Sequence, residues 1–330
     1  MKLKLKEAES HKCSIFTLDS VVKDHQLLTY YTGFDNSEML NAFLNFINPE
    51  NKISFSRKLS ASDQIFLVPS KLRQGFDNID LSFRFNISSK HASKIFVNWI
   101  NIIYFRLGSL NLFPSRDIIL DNSPQSFKEK YPKTFMILDC TELKIEFPSD
   151  LVLQSQSYST YKSHNTMNGL VGCDPNGGLL FVSSLFTGSI SDKKIVELSG
   201  LLDLLSEKLK AKELLPNDAV MFDKGFNIIN EIKTLKLDYN VPPMASELQF
   251  PGEEVLDTRS IASVRVHIER LIRRFKCFKI LSGVIPILLM PHLNQIWTVC
   301  CILSGFRTIT KTADSEIPNE AEINLYTDSN

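Results

Sequence analysis

Residues 134–139 read TFMILD, a short apolar run of β-favouring residues that ends in Asp139. Residues 219–223 read AVMFD and repeat the pattern, ending in Asp223. Runs of this length and composition predict buried strands. Two strands that each end in an aspartate indicate an α/β domain with acidic side chains at one edge of its sheet.

The segments around these strands predict a mixed sheet with helices on its faces. Strands are expected at 165–173 and 179–186, because DPNGG at 174–178 is a strong hairpin signal. The other expected elements are helices at about 191–209, 227–235 and 259–278 and a brief strand near 239–241. Antiparallel strands followed by alternating helices and strands are typical of a mixed α/β sheet, here assigned to residues 134–306.

A smaller all-α module precedes this domain. Apolar residues recur at helical spacing, and a tight turn at 85–87 separates a short helix from a longer one that begins at a serine. This order is typical of a helix-turn-helix, assigned to residues 61–110. Lys90 and Lys94 lie on the exposed first turns of the second helix and are candidate DNA contacts. A three-helix bundle with a solvated basic face fits the pattern equally well.

Composition divides the rest of the chain. Residues 1–60 are mixed in pattern, with a helix expected after Asn36, and residues 111–133 are predicted to be a linker rich in Pro, Ser and Asp. The formal net charge is zero, but the charges are unevenly distributed. Seven basic residues and one acid lie within 259–279, whereas 307–330 form an acidic tail. The basic block indicates a local site for an anionic partner despite the neutral total.

The cysteines and the apolar segments exclude several classes of protein. The six cysteines show no C-x-x-C spacing, which argues against a zinc module and against a disulfide framework. The charged start does not resemble a signal peptide. The apolar stretch 280–303 is interrupted by prolines and polar residues, so a core segment is expected and no membrane span. A reducing compartment, cytosol or nucleus, follows.

Asp139 and Asp223 are the first candidates for chemistry. If their strands are neighbours, both carboxylates emerge at one edge of the sheet, where open α/β sheets bind ligands. Two like charges repel, and a divalent cation offsets the repulsion. Either aspartate by itself is more often a turn former, so the interpretation depends on the pair.

Glu269 is the third candidate. It lies off the apolar stripe of the predicted helix 259–278, with Arg265 and Arg273 one turn away on either side. An acid among arginines suits a metal ligand beside a phosphate-binding surface. The alternative is a plain salt bridge between Glu269 and Arg273. Lys276 belongs to the same basic helix and is a further candidate DNA contact.

Three carboxylates suit the cleavage of a phosphodiester. The reaction needs an activated water and a stabilised leaving oxygen in line, and two Mg²⁺ or Mn²⁺ ions about 3.5–4 Å apart provide both. Hard cations of this kind prefer oxygen ligands. We therefore expect the carboxyl oxygens of Asp139, Asp223 and Glu269 to lie within roughly 4–7 Å of each other.

Several segments resemble the Harbinger-like DDE superfamily endonucleases, in the branch whose members often follow a THAP domain. The matching segments are YPK at 131–133, ILDCTE at 137–142, QSQ at 154–156, YS at 158–159, YK at 161–162, GSISDK at 188–193, DKGF at 223–226, RSIAS at 259–263, HIER at 267–270 and FKIL at 278–281. They cover about 131–306 in the family's order. Residues 64–107 resemble the helix-turn-helix that precedes the catalytic core in these proteins.

The resemblance implies an RNase H-like fold in which Asp139, Asp223 and Glu269 form the DDE triad. It implies a nuclear transposase that acts on double-stranded DNA, both transposon ends and target, with Lys162 as a further DNA contact. A homo-oligomer or an accessory DNA-binding protein is an expected partner. The alternative is a domesticated DNA-binding protein without cleavage activity. The chain departs from the pattern by lacking the cysteines of a THAP module and by having Met167 and Asn168 where a lysine is expected.

Overall fold

The computed structural model describes residues 16–160, 162–241 and 266–305. The predictions for Arg265, for the first part of the helix 259–278 and for the tail 307–330 lie outside the described residues. Elements are numbered below in chain order.

Helices form the described N-terminal region. They are α1 (Leu18–Val22), α2 (His25–Thr32), α3 (Ser37–Ile47), α4 (Ala61–Gln74), α5 (Asn78–Arg84) and α6 (Ser89–Gly108). The helix expected after Asn36 is α3, and the Asn36 side chain caps it by accepting a hydrogen bond from the backbone N–H of Met39 at 2.8 Å.

Helices α4, α5 and α6 form the predicted helix-turn-helix. The turn between α5 and α6 is made by Asn86, whose φ of 50° is tolerated best by asparagine and glycine. Ser88 then caps α6 through the backbone N–H of His91. The α6 side chains at helical spacing, among them Ile95, Trp99 and Ile103, are buried in the core of this region.

The predicted linker at 111–133 contains two short helices, α7 (Arg116–Asp121) and α8 (Gln125–Lys130). Each buries an apolar residue, Ile119 in α7 and Phe127 in α8. The guanidinium of Arg116 also donates hydrogen bonds to both oxygens of the buried Asp218 carboxylate, from Nη2 at 2.7 Å and from Nε at 2.8 and 2.9 Å. These contacts pack residues 111–133 against the sheet domain. The composition of the segment favours turns, but the burial of its apolar residues and its ion pair hold it in place.

The sheet domain is a mixed sheet flanked by helices. Its elements are β1 (Thr134–Lys144), α9 (Leu151–Ser157), β2 (Tyr158–Ser159), β3 (His164–Cys173), β4 (Leu179–Thr187), α10 (Asp192–Leu198), α11 (Leu201–Lys210), β5 (Ala219–Met221), α12 (Ile229–Thr234), β6 (Asp238–Asn240), α13 (266–276), α14 (Lys279–Ser282) and α15 (Leu293–Gly305). The strand order is β2-β3-β1-β5-β6. β4 also pairs with β3 but lies outside this order. β3 is antiparallel to β1 and β4, whereas β5 is parallel to β1 and β6. The architecture is the RNase H-like one that the resemblance implies.

Two predicted elements differ in extent. β1 does not end before Asp139 but continues to Lys144, because its second half pairs with β3 from Gly169 to Thr166. The single helix predicted at 191–209 is two helices, α10 and α11. They are separated at Gly200, whose φ of 80° is left-handed and incompatible with a continuous helix.

Two apolar cores cover the two faces of the sheet. Ile137 and Leu143 of β1 share one core with α13 and α15, whereas Met136 and Leu138 share the other with α10, α11 and α12. The two sets alternate along β1 as a pleated strand requires. Residues 287–305 have the length and composition of a membrane-crossing helix, but α15 is buried in the first core as predicted.

Candidate active site

Asp139 lies on β1, and Asp223 directly follows the end of the adjacent parallel strand β5. Ile137 of β1 pairs with Met221 of β5, and each aspartate follows two positions later. Asp139 accepts a hydrogen bond from the backbone N–H of Cys140 at 2.9 Å, and Asp223 accepts one from the backbone N–H of Lys224 at 2.7 Å. Both side chains are half-buried. Two carboxylates therefore face the same end of the sheet, as expected for strands that are neighbours.

Asp192 is a third carboxylate at this end. It lies in the first turn of α10, directly after Ser191, which caps the helix by accepting from the backbone N–H of Lys194. Asp192 accepts a hydrogen bond from the thiol of Cys140, and burial together with the negative charge of Asp223 raises the pKa of Asp192. Strand pairing explains its position: β4 runs parallel to β1 because both are antiparallel to β3, so the residues after β4 emerge at the same end.

Cys140 and Glu142 line the Asp192 side of β1. Burial raises the pKa of the Cys140 thiol, with further contributions from its hydrogen bond to Asp192 and from the charge of Asp139. Burial also raises the pKa of Glu142, opposed by the nearby charge of Lys162. Lys162 is exposed and faces Glu142, so this candidate DNA contact lies beside an acid at the edge of the site.

Glu269 is exposed on α13, because this helix buries Ile268, Leu271 and Phe275 on its apolar side. Among the described residues, which include all three acids, no three Asp, Glu, His or Cys side chains form a group that could hold a metal ion. The separation of roughly 4–7 Å expected between the carboxyl oxygens of Asp139, Asp223 and Glu269 stays a prediction.

Helix α13 nevertheless covers the face of the sheet to which Asp139 belongs. Asp139 alternates in phase with Ile137 and Leu143, which share a core with Ile268 and Leu271 of α13. Within the described residues no ion pair joins Glu269 to Arg273, so the plain salt bridge is not formed either. Glu269, Arg273 and Lys276 are all exposed on this helix.

A second candidate surface lies on the helix-turn-helix. Lys90 and Lys94 are exposed on the first turns of α6. They border a shallow groove of about 450 Å³ that is otherwise lined by Asn78, Ser89, Ser93, Val97 and Asn98. The groove presents cations and small polar groups, the side chains that contact phosphates and base edges in protein–DNA complexes.

The fold is that of a DDE-type nuclease core that follows a helix-turn-helix. Residues 138–304 match the family model of the DDE superfamily endonucleases, and residues 57–109 match the helix-turn-helix of DDE superfamily endonucleases. The chain belongs to the DDE superfamily endonucleases.

The curated relatives include the nuclease HARBI1 of several vertebrates. The chain is 26% identical over 208 residues to the Xenopus laevis protein, which covers 58% of this chain and 56% of that protein. It is 23% identical over 305 residues to the Mus musculus protein and 22% identical over 301 residues to the Homo sapiens protein, covering 87% of this chain and 78% of each relative. The match to the Xenopus protein spans little more than half of that relative's length. No solved structure matches the chain.

Proposed function

We propose that this protein is a metal-dependent DNA endonuclease of the transposase type, which hydrolyses phosphodiester bonds at transposon ends and joins the ends to target DNA. The observation that carries the proposal is the pairing of β1 with β5, which sets Asp139 beside Asp223 at one end of the sheet. Membership of an endonuclease family supports the same chemistry.

The acids at this end are the ones that would hold a divalent cation, and they would have to move closer together to do so. Asp139, Asp223 and Asp192 offer carboxylate oxygens, the ligands that Mg²⁺ and Mn²⁺ prefer. Burial raises the pKa of Asp192, and the negative charge of Asp223 adds a smaller effect that a bound cation would offset. Two bound ions would activate water and stabilise the leaving oxygen. The aspartates would hold the ions in place. Glu269 is proposed to complete the site when α13 moves towards these aspartates on substrate binding.

The basic surfaces would hold the DNA. Lys90 and Lys94 on α6 would neutralise phosphates of the transposon end, and Arg273 and Lys276 on α13 would hold DNA near Asp139. Arg265 and Lys162 are proposed to add contacts to the same backbone. A protein that acts on such substrates would work in the nucleus.

The second candidate is a domesticated DNA-binding protein that keeps the fold and does not cleave. The spacing of the acids favours it, because no three of the described Asp, Glu, His or Cys side chains form a group that could hold a metal ion. Both candidates require duplex binding, and only the first requires cleavage.

The experiment is a nicking and strand-cleavage assay on supercoiled plasmid with Mg²⁺ or Mn²⁺. Asp139→Asn, Asp223→Asn and Glu269→Gln each remove one negative charge and preserve shape, so cleavage is expected to disappear while duplex binding persists. Asp203→Asn and Glu207→Gln are matched controls, because both acids are exposed on α11. Cleavage that survives in Asp139→Asn or in excess chelator overturns the mechanism. An inactive wild-type protein that still binds duplex DNA supports the domesticated alternative.

A further inference from the structure

Lys71 of α4 is a buried lysine inside the helix-turn-helix, and its side chain is only 6% exposed. Its ammonium lies 5.2 Å from the centroid of the Phe96 ring of α6. Burial lowers the pKa of Lys71 to about 8, and the negative charge of Asp77 opposes this effect. A methionine would fill the same space without an ammonium to desolvate, so packing alone does not account for a lysine here.

The Lys71 ammonium binds the segment in which the chain passes from α4 to α5. It donates a hydrogen bond to the backbone carbonyl of Phe76 at 2.7 Å and another to Oδ1 of Asn78 at 3.1 Å. Asn78 is the first residue of α5. A lysine ammonium can donate but cannot accept, so the amide of Asn78 must turn its oxygen towards Lys71. Lys71 thus fixes the orientation of this amide.

The nitrogen of the same amide is left with two N–H donors. Asn78 lines the groove that Lys90 and Lys94 border. None of the hydrogen bonds among the described residues uses Nδ2 of Asn78. Because Oδ1 is held by a buried partner, Nδ2 lies on the side of the amide away from Lys71 and is available to a ligand in the groove.

A phosphate oxygen of DNA suits these two donors. The first helix of a helix-turn-helix crosses the DNA backbone, whereas the second enters the major groove. Helix α5 is the first of this pair, and asparagine is among the side chains that contact phosphates. Lys90 and Lys94 of α6 would bring the anionic backbone to the same groove.

We propose that Lys71 is a positioning residue for DNA binding. It turns Nδ2 of Asn78 into the groove, where Asn78 donates a hydrogen bond to a phosphate of the duplex. Lys71 does not touch the DNA itself, because its side chain is buried. This inference rests on the proposed binding of duplex DNA through α6, and it adds a phosphate contact and the buried residue that orients it.

The experiment is a double-mutant cycle in duplex affinity, measured on the full chain by fluorescence anisotropy. Lys71→Met and Asn78→Ala should each raise the dissociation constant about three- to tenfold, as expected for the loss of one hydrogen bond. If Lys71 acts through Asn78, Lys71→Met should change the affinity less than about twofold in a protein that already carries Asn78→Ala.

Salt dependence separates positioning from direct contact. A neutral amide and a buried ammonium release no counterions from DNA, so Lys71→Met should leave the slope of log affinity against log salt as it is in the wild type. Loss of a direct contact between a cation and a phosphate would reduce this slope by about 0.9.

Asn78→Asp tests the contact in a variant that keeps an acceptor for Lys71. Its carboxylate presents the phosphate with an acceptor and a negative charge in place of two donors, so affinity should fall at least about tenfold at low salt. Asn41→Asp is the matched control, because Asn41 is exposed on α3 and does not line the groove. Asn78→Asp decides the question if Lys71→Met does not fold.

Three results would each overturn the positioning role of Lys71 in a wild-type protein that binds duplex DNA. They are additive effects of Lys71→Met and Asn78→Ala, a reduced salt slope in Lys71→Met, and an Asn78→Asp variant that binds as tightly as the wild type. A wild-type protein that does not bind duplex DNA would overturn the proposed DNA binding together with this role, so the two failures are distinguishable.

Discussion

The thiol of Cys140 on β1 donates a hydrogen bond to the carboxylate of Asp192 in the first turn of α10. This contact joins the central strand to the helix that follows β4 and sets Asp192 near Asp223. An ionised carboxylate in this position is opposed by burial and by a like charge. An ionised Asp192 therefore lowers the free energy of unfolding, and packing alone would not require an acid at this position. Such destabilising acids are typical of functional sites.

Asp192→Asn should stabilise the protein at neutral pH. The folded-state pKa of Asp192 is raised above its unfolded value, so its favourable contribution is complete below the unfolded pKa and is lost as pH rises through the folded pKa. The variant, which keeps an acceptor for Cys140, should gain up to about 1 kcal/mol at pH 7.5 after screening is discounted, and nothing near pH 3. Urea unfolding at both pH values measures this. Equal gains in the free energy of unfolding at the two pH values would contradict the charge argument. Asp203→Asn, at an exposed acid, is the control.

Lys90→Ala with Lys94→Ala should weaken duplex binding and flatten its salt dependence. Each lost phosphate contact removes about 0.9 from the slope of log affinity against log salt, so the double variant should lose up to about 1.8. Titrations of labelled duplex at several salt concentrations give the slope. Lys210→Ala, exposed at the end of α11, should leave it unchanged. An unaltered slope in the double variant would refute the assignment of α6.

Lys276→Ala and Arg273→Ala should each reduce DNA affinity at low salt, because both cations are exposed on the helix that covers the Asp139 face. The expected loss is about two- to tenfold and should shrink as salt rises. Fluorescence anisotropy with duplex DNA measures it, with Lys210→Ala again as the control. Affinity that is unchanged at low salt in both variants would mean that α13 presents only a solvated face.

Arg116→Ala should destabilise the protein by about 3 kcal/mol, because it leaves the buried Asp218 carboxylate without its charged partner. Lys194→Ala, which removes an exposed pair with Glu197, should cost less than about 0.5 kcal/mol. Chemical denaturation compares the two. A small effect of Arg116→Ala would mean that 111–133 is a loosely attached linker.

Much of the secondary structure followed from local signals in the sequence. The caps at Asn36 and Ser88, the turn at Asn86 and the hairpin at 174–178 act over a few residues, so their positions were predictable. Two similar apolar runs predicted the strands that lead to Asp139 and Asp223, whereas the pairing of these strands came from the tertiary structure. The end of β1 was not predictable, because it depends on the pairing of β1 with β3. The break at Gly200 was not predictable either, because it depends on one backbone dihedral.

Contacts between distant segments decided the rest. Asp192 reaches Asp223 only because β4 runs parallel to β1 and Cys140 holds the carboxylate. The exposure of Glu269 follows from the apolar stripe of α13, which fixes the rotation of the helix on the sheet. Residue types and local spacing thus determined the elements and the candidate acids of this protein. Which acids meet was decided only by the tertiary structure, because burial of apolar faces sets the orientation of each helix before any polar group is placed.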